Sequence, residues 1–118
     1  MKIVITGALG HIGSRLVRDL PTLVPELEIV MVDNLSTQRF NSLFDMPIEG
    51  SYRFVLADVV TDDIDEWIDG AQFVVHLAAK TDAEASFASP EEVERVNLEG
   101  AIRVARICAV NDCVMIFP

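Results

Sequence analysis

The stretch Ile3-Val4-Ile5-Thr6-Gly7-Ala8-Leu9-Gly10-His11-Ile12-Gly13 decides how the rest of the chain is read. A short β-branched run, Ile3–Ile5, ends at Thr6-Gly7. Three glycines follow at GxxGxxG spacing, one residue wider than the GxGxxG of the common dinucleotide fingerprint. Ile12, Leu16, Val17 and Leu20 then recur at helical spacing as far as Pro21. The unit reads as strand, glycine turn and helix. In such a unit the first glycine permits a tight turn, the second lets the backbone approach a pyrophosphate, and the third lets the helix pack on the strand. Free N–H groups at the helix start face the phosphates. The same glycines also suit a strand–helix turn that binds nothing. A nucleoside-triphosphate P-loop is excluded, because GxxxxGK[ST] needs a Gly-Lys pair and the loop has Ile12 and Gly13 there.

Twenty residues beyond Gly13 stands Asp33, at the end of the second apolar run, Ile29–Val32. A carboxylate there accepts both hydroxyls of an adenosine ribose and repels a 2′-phosphate, which predicts NAD over NADP. Arg39 is the nearby cation that a 2′-phosphate would need, but it lies several residues into the following loop. Three further apolar runs follow, Tyr52–Leu56, Phe73–Val75 and Val114–Phe117. Continuous runs, rather than alternating ones, suit parallel strands covered on both faces. Between them a short helical segment spans 62–68. A longer helix is announced by Ser89-Pro90-Glu91-Glu92, with Ser89 as cap and Glu92 completing a capping box. Its outer face would pair Glu91 with Arg95 and Glu99 with Arg103. Its inner face carries Val93, Val96, Gly100, Val104 and Ile107. Alternation of this kind predicts an α/β fold, a Rossmann-type doubly wound parallel sheet of about five strands in one domain over 1–118. Right-handed crossovers put the carboxyl ends of the strands on one edge. Gly7, Asp33, Asp58 and Ala78–Lys80 fall there.

Composition narrows the function classes. The chain of 118 residues is 51% hydrophobic and 24% charged, a globular composition with enough chain for one core. Its formal charge is −10, with Lys2 and Lys80 the only lysines. Nucleic-acid binding needs clustered cations, and anionic membranes repel acidic surfaces, so neither is expected as a partner. Cys108 and Cys113 fit neither a CxxC pair nor a disulfide framework and read as small core hydrophobes. His11 and His76 have no ligand-spaced neighbours, so no metal site is expected. No apolar run is long enough for a membrane span, and the N-terminal run is too short for a signal-peptide core. The expected location is cytoplasmic.

Four motifs occur in order: Thr6-Gly7-Ala8-Leu9-Gly10-His11-Ile12-Gly13, Asp33-Asn34-Leu35-Ser36, Val75-His76-Leu77-Ala78-Ala79 and Asn97-Leu98-Glu99-Gly100. Together they resemble the extended short-chain dehydrogenase/reductase family, the NAD-dependent epimerases and dehydratases of nucleotide sugars. The resemblance covers essentially the whole chain, and its second motif is most similar to UDP-glucose 4-epimerases. It implies that Gly7, Gly10, His11, Ile12 and Gly13 hold the pyrophosphate of NAD. By the same resemblance Asp33, Asn34 and Ser36 hold the adenosine ribose, and Asp58 and Val59 flank adenine. Leu77, Ala78, Ala79 and Lys80 line the path to the nicotinamide ribose, and Asn97 contacts the nicotinamide side. A buried amide at Asn97 needs partners in any case. Ala101 stands where the family usually has threonine.

The family's catalysis uses a Ser or Thr just after the fifth strand and a Tyr-x-x-x-Lys on the next helix. The one tyrosine here, Tyr52, precedes the third strand and is not followed by lysine at that spacing. The expectation is therefore the N-terminal, NAD-binding portion of a nucleotide-sugar epimerase or dehydratase, cut after the fifth strand and incompetent in catalysis alone. A nucleotide sugar would be the substrate of the complete enzyme. Alternatives are a non-catalytic NAD-binding regulatory module and an NADP-dependent reductase of the same superfamily. An apolar fifth strand at a sheet edge invites pairing, so a homodimer, self-association or a poorly ordered strand is expected.

Overall fold

The computed structural model describes residues 1–80 and 89–118. The chain runs through β1 (Lys2–Thr6), α1 (His11–Leu23), β2 (Glu28–Asp33), a 3-10 turn (Phe40–Leu43), β3 (Ser51–Leu56), α2 (Asp65–Ile68) and β4 (Phe73–His76). A composite helix follows, made of α3 (Pro90–Glu94), a π-helical turn (Arg95–Glu99) and α4 (Gly100–Val110), and β5 (Val114–Ile116) comes last. The sheet order is β3-β2-β1-β4-β5, and every pairing is parallel. This is the Rossmann-type architecture that the alternation predicts.

Apolar runs bury both faces because successive side chains point to opposite sides of a strand. Ile3 and Ile5 join Ile29, Met31, Val17 and Leu27 beneath α1. Val4 joins Val30, Val32 and Val74 on the other side, packed on Ile64 and Ile68 around α2 and on Val104 and Ile107 of α4. Helix α1 runs on past the expected stop at Pro21 to Leu23, with the proline ring buried. The chain leaves the helix where the Val24 N–H bonds the Leu20 carbonyl at 2.9 Å.

The composite helix departs furthest from expectation. Ser89 makes no side-chain cap; its carbonyl instead accepts from Glu92 and Val93, both at 3.2 Å. The Glu92 carboxylate is drawn away to the Lys80 ammonium. The π turn inserts one extra residue, which shifts the helical phase. Neither Glu91–Arg95 nor Glu99–Arg103 forms an ion pair among the described residues. Arg103 reaches the Val59 carbonyl at 3.2 Å instead.

Cys108 and Cys113 are buried and free, and both belong to the core on the α4 side. Burial pushes the Cys108 thiol up to about 11. At pH 8 only about one such thiol in a thousand is ionised, so alkylation of the native protein is expected to be slow and to accelerate on unfolding in urea. Timed iodoacetamide labelling with mass spectrometry checks this.

Candidate functional site

The strand order reverses at β1, whose neighbours β2 and β4 are reached by connections on opposite sides. A crevice opens at the carboxyl ends there, the usual ligand position in open α/β sheets. Gly7 enters it with φ +67°, and its N–H donates to the Val32 carbonyl at 2.8 Å. A Cβ on Gly7 would lie 2.7 Å from the Ala78 nitrogen and the Leu77 carbonyl. A Cβ on Gly13 would lie 2.5 Å from the Gly7 carbonyl oxygen, so α1 rests directly on the loop. Gly10 would meet only the Gly7 oxygen, at 3.2 Å. The first helical bond joins the Ser14 N–H to the Gly10 carbonyl at 2.9 Å. Among the described residues, the N–H groups of His11, Ile12 and Gly13 are thus the unpaired donors of the first turn.

Asp33 closes the crevice from β2. Its Oδ2 accepts the Leu9 N–H at 3.0 Å and its Oδ1 the Leu35 N–H at 2.9 Å. One carboxylate therefore ties the glycine loop to the turn after β2, where Leu35 takes φ 59°. The Asn34 side-chain oxygen accepts the Ser36 N–H at 3.0 Å, and its amide donates to Asp58 Oδ2 at 3.2 Å. On the far wall Asn97 clamps the Lys80 backbone: its Oδ1 accepts the Lys80 N–H at 2.8 Å and its Nδ2 donates to the Lys80 carbonyl at 3.0 Å. Lys80 is thereby fixed at its backbone by Asn97 and at its ammonium by Glu92.

Most of the sequence-predicted residues line this cleft: Gly7, Gly10, Asp33, Asn34, Ser36, Asp58, Val59, Leu77, Ala78, Ala79 and Lys80. Val32, Thr37, Ala57 and Val96 line it as well and were not expected. Val32 and Ala57 carried a signal, since they flank Asp33 and Asp58 at strand ends. Val96 reads in the sequence as an inner-face residue of the helix, with nothing there to mark it as lining a cleft. Four predicted residues are not in the cleft wall. Gly13 is buried in the first turn of α1 where it rests on the glycine loop, and Ile12 turns its side chain to solvent at 63% exposure. His11 is exposed, with the Arg39 guanidinium 3.2 Å and 2.8 Å from its two ring nitrogens. Asn97 spends its amide on Lys80, so it shapes the wall from behind.

Burial alone would push the Asp58 carboxyl up, but the Val60 N–H, the Asn34 amide, the nearby Arg95 charge and the Thr61 N–H together hold it below the ordinary value of 3.8. A lowered carboxylate stabilises the fold fully above its unfolded pKa and loses that contribution as pH falls through the folded one. Melting curves of the wild type and Asp58→Asn are therefore expected to differ at pH 6 and to converge below pH 3.8. Thermal melts across that range decide it.

A five-stranded parallel sheet in this order, with a glycine loop at the switch point, defines a Rossmann-type nucleotide-cradle fold. The chain belongs to the NAD dependent epimerase/dehydratase family, which it matches over residues 3–118. It is 34% identical over 109 residues to a UDP-glucose 4-epimerase of Mycolicibacterium smegmatis, covering 89% of this chain and 34% of that protein. It is 35% identical over 105 residues to a probable dTDP-glucose 4,6-dehydratase of Sinorhizobium fredii, covering 85% of this chain and 29% of that one. The chain thus spans about a third of the length of these curated relatives. Among solved structures it is similar to a UDP-glucose 4-epimerase of Thermus thermophilus in complex with NAD. That likeness has a TM-score of 0.78 at 26% identity over 95% of this chain and 35% of that one. No helix among the described residues is long and apolar enough to cross a membrane.

Proposed function

We propose that these residues form the NAD-binding part of a nucleotide-sugar epimerase or dehydratase. The observation that carries this reading is the Asp33 carboxylate, placed at the switch-point cleft between the glycine loop and the turn after β2. Each of its oxygens spends one lone pair on a backbone N–H and keeps another for a ribose hydroxyl. The unpaired N–H groups of His11, Ile12 and Gly13 suit a pyrophosphate. Ala78 and Ala79, following Leu77 at the carboxyl end of β4, are small enough to let the cofactor pass close to the backbone. Asp58 would flank adenine, accepting from its exocyclic amine beside Val59. The names of the relatives support the same reading.

NAD held by the glycine loop, Asp33 and Asp58 would supply a reversible hydride acceptor for a sugar carbon. The Tyr-x-x-x-Lys that the family resemblance calls for as the base does not occur in this sequence. Tyr52, the only tyrosine, pairs with Ile29 near the amino end of β3, at the edge of the sheet opposite the cleft. Sugar chemistry would fall to residues outside this stretch. Calorimetric titration with NAD and with NADP tests the reading. Binding of NAD in preference to NADP is expected; equal or tighter binding of NADP would contradict it.

A further inference from the structure

One layer beneath the cleft floor lies a polar pair that the dinucleotide reading does not use. Thr6 and His76 are 0% and 1% exposed, and they are register partners on the last rung between β1 and β4. Thr6 Oγ1 is 2.7 Å from His76 Nδ1. The Ala78 N–H also reaches Oγ1, at 3.4 Å. The Thr6 carbonyl accepts the Leu77 N–H at 3.0 Å. The imidazole lies beside Phe117, with ring centroids 5.7 Å apart. Its Nε2 is buried with no partner among the described residues.

Counting protons assigns the tautomer. If Nδ1 carried the hydrogen, it would donate to Thr6, and two groups would stay unpaired: the Thr6 hydroxyl hydrogen and the Nε2 lone pair. If Nε2 carries it, the Thr6 hydroxyl donates to Nδ1 and only the Nε2–H is left over. Buried polar groups are costly to leave unpaired, so the second arrangement wins. Burial also holds the ring below the ordinary histidine value, so it is neutral at pH 7.

We propose that His76 is a positioning residue for the cofactor wall: its Nδ1 accepts the Thr6 hydroxyl hydrogen, which turns an Oγ1 lone pair to the Ala78 N–H and holds Leu77–Ala79 against Gly7. The effect on binding rests on the reading of the cleft as an NAD site, whereas the hydrogen-bond relay itself does not. The tolerance at this contact is small. The position of a Cβ on Gly7 is only 2.7 Å from the Ala78 nitrogen, so the β4 loop and the glycine loop share one backbone-to-backbone seam. A hydroxyl pinned at both ends sets the spacing of that seam without entering the cleft.

Nitrogen-15 side-chain spectra of the protein at pH 7, with the His76 signals identified by their loss in His76→Asn, test the relay directly. A neutral ring protonated at Nε2 is expected; a ring protonated at Nδ1, or an imidazolium, overturns the proposal. Thr6→Val is expected to speed Ala78 amide exchange and to weaken NAD binding, each by about fivefold to tenfold, the worth of one net hydrogen bond. Thr6→Ser, which keeps the hydroxyl, is expected to keep both at wild-type values, whereas His76→Leu, which removes the Nδ1 acceptor, is expected to speed Ala78 exchange as Thr6→Val does. Unchanged Ala78 exchange in Thr6→Val, or failure of Thr6→Ser to keep it at the wild-type value, overturns the proposal. If the wild type binds no NAD, the dinucleotide reading fails, and the tautomer and the Ala78 exchange still decide the relay. If Thr6→Val does not fold, the tautomer and the His76→Leu exchange rates decide it, unchanged exchange in His76→Leu overturning the proposal.

Discussion

Gly7→Ala is expected to destabilise the protein by about 2–5 kcal/mol, combining left-handed strain with overpacking, and to abolish dinucleotide binding. Two costs coincide at this position. The φ of +67° is one that L side chains rarely adopt, and the added methyl would sit 2.7 Å from backbone atoms of Leu77 and Ala78. Backbone atoms cannot swing aside as a flexible side chain can. The seam would open, moving the floor of the cleft with it. Gly70 supplies the comparison: its φ is +72°, but nothing lies within 4 Å of its Cβ position. Gly70→Ala is therefore expected to lose only the conformational part, about 1–2 kcal/mol. Urea denaturation of both variants separates the two costs, and equal losses would show that the close approach at Gly7 contributes nothing.

Asp33→Ala is expected to lower NAD affinity at least tenfold to about a hundredfold, since hydrogen bonds to a charged group are worth about 1.5–3 kcal/mol each. The preference for NAD over NADP is expected to collapse in the same variant, because the charge that repels a 2′-phosphate is gone. The carboxylate also bridges Leu9 and Leu35, so the melting temperature should fall. Asp33→Asn keeps one acceptor and turns a donor toward the other N–H, which places it between the wild type and the alanine variant in both respects. The ratio of the two cofactor affinities is the decisive quantity. Loosening of the loops weakens both cofactors alike, whereas removing the charge changes only their ratio. An Asp33→Ala protein that still prefers NAD would refute the assignment of selectivity to this residue.

The parts of the molecule that could be read residue by residue are those with a local cause. Ile3–Ile5 followed by three glycines states a strand, a turn and a helix within eleven positions, because sterics at a glycine and the pitch of a helix act over short spans. Asp33 could be placed because the length of one strand–helix–strand unit puts it at the cleft. Crossover handedness put the carboxyl ends of the strands on one edge, while the order β3-β2-β1-β4-β5 came from the structure. Cys108 and Cys113 read correctly as core residues from their apolar surroundings.

The remaining features depend on pairs that only folding brings together. Asn97 and Lys80 are 17 positions apart, Asn34 and Asp58 are 24, Arg39 and His11 are 28, and Thr6 and His76 are 70. Glu92 shows how such pairs override local preference. Three residues after Ser89, it has the capping-box position, yet an ammonium on the neighbouring wall of the cleft competes for the same carboxylate and takes it. The π turn at Arg95–Glu99 likewise has no local signal; it sets the phase at which Asn97 meets Lys80. Amino-acid order settled the scaffold and the cleft's principal residues, because propensity, periodicity and handedness are properties of the chain itself. Which polar atoms satisfy which was settled in three dimensions, because a buried donor takes the acceptor that packing puts within 3 Å or so, however distant it is along the chain.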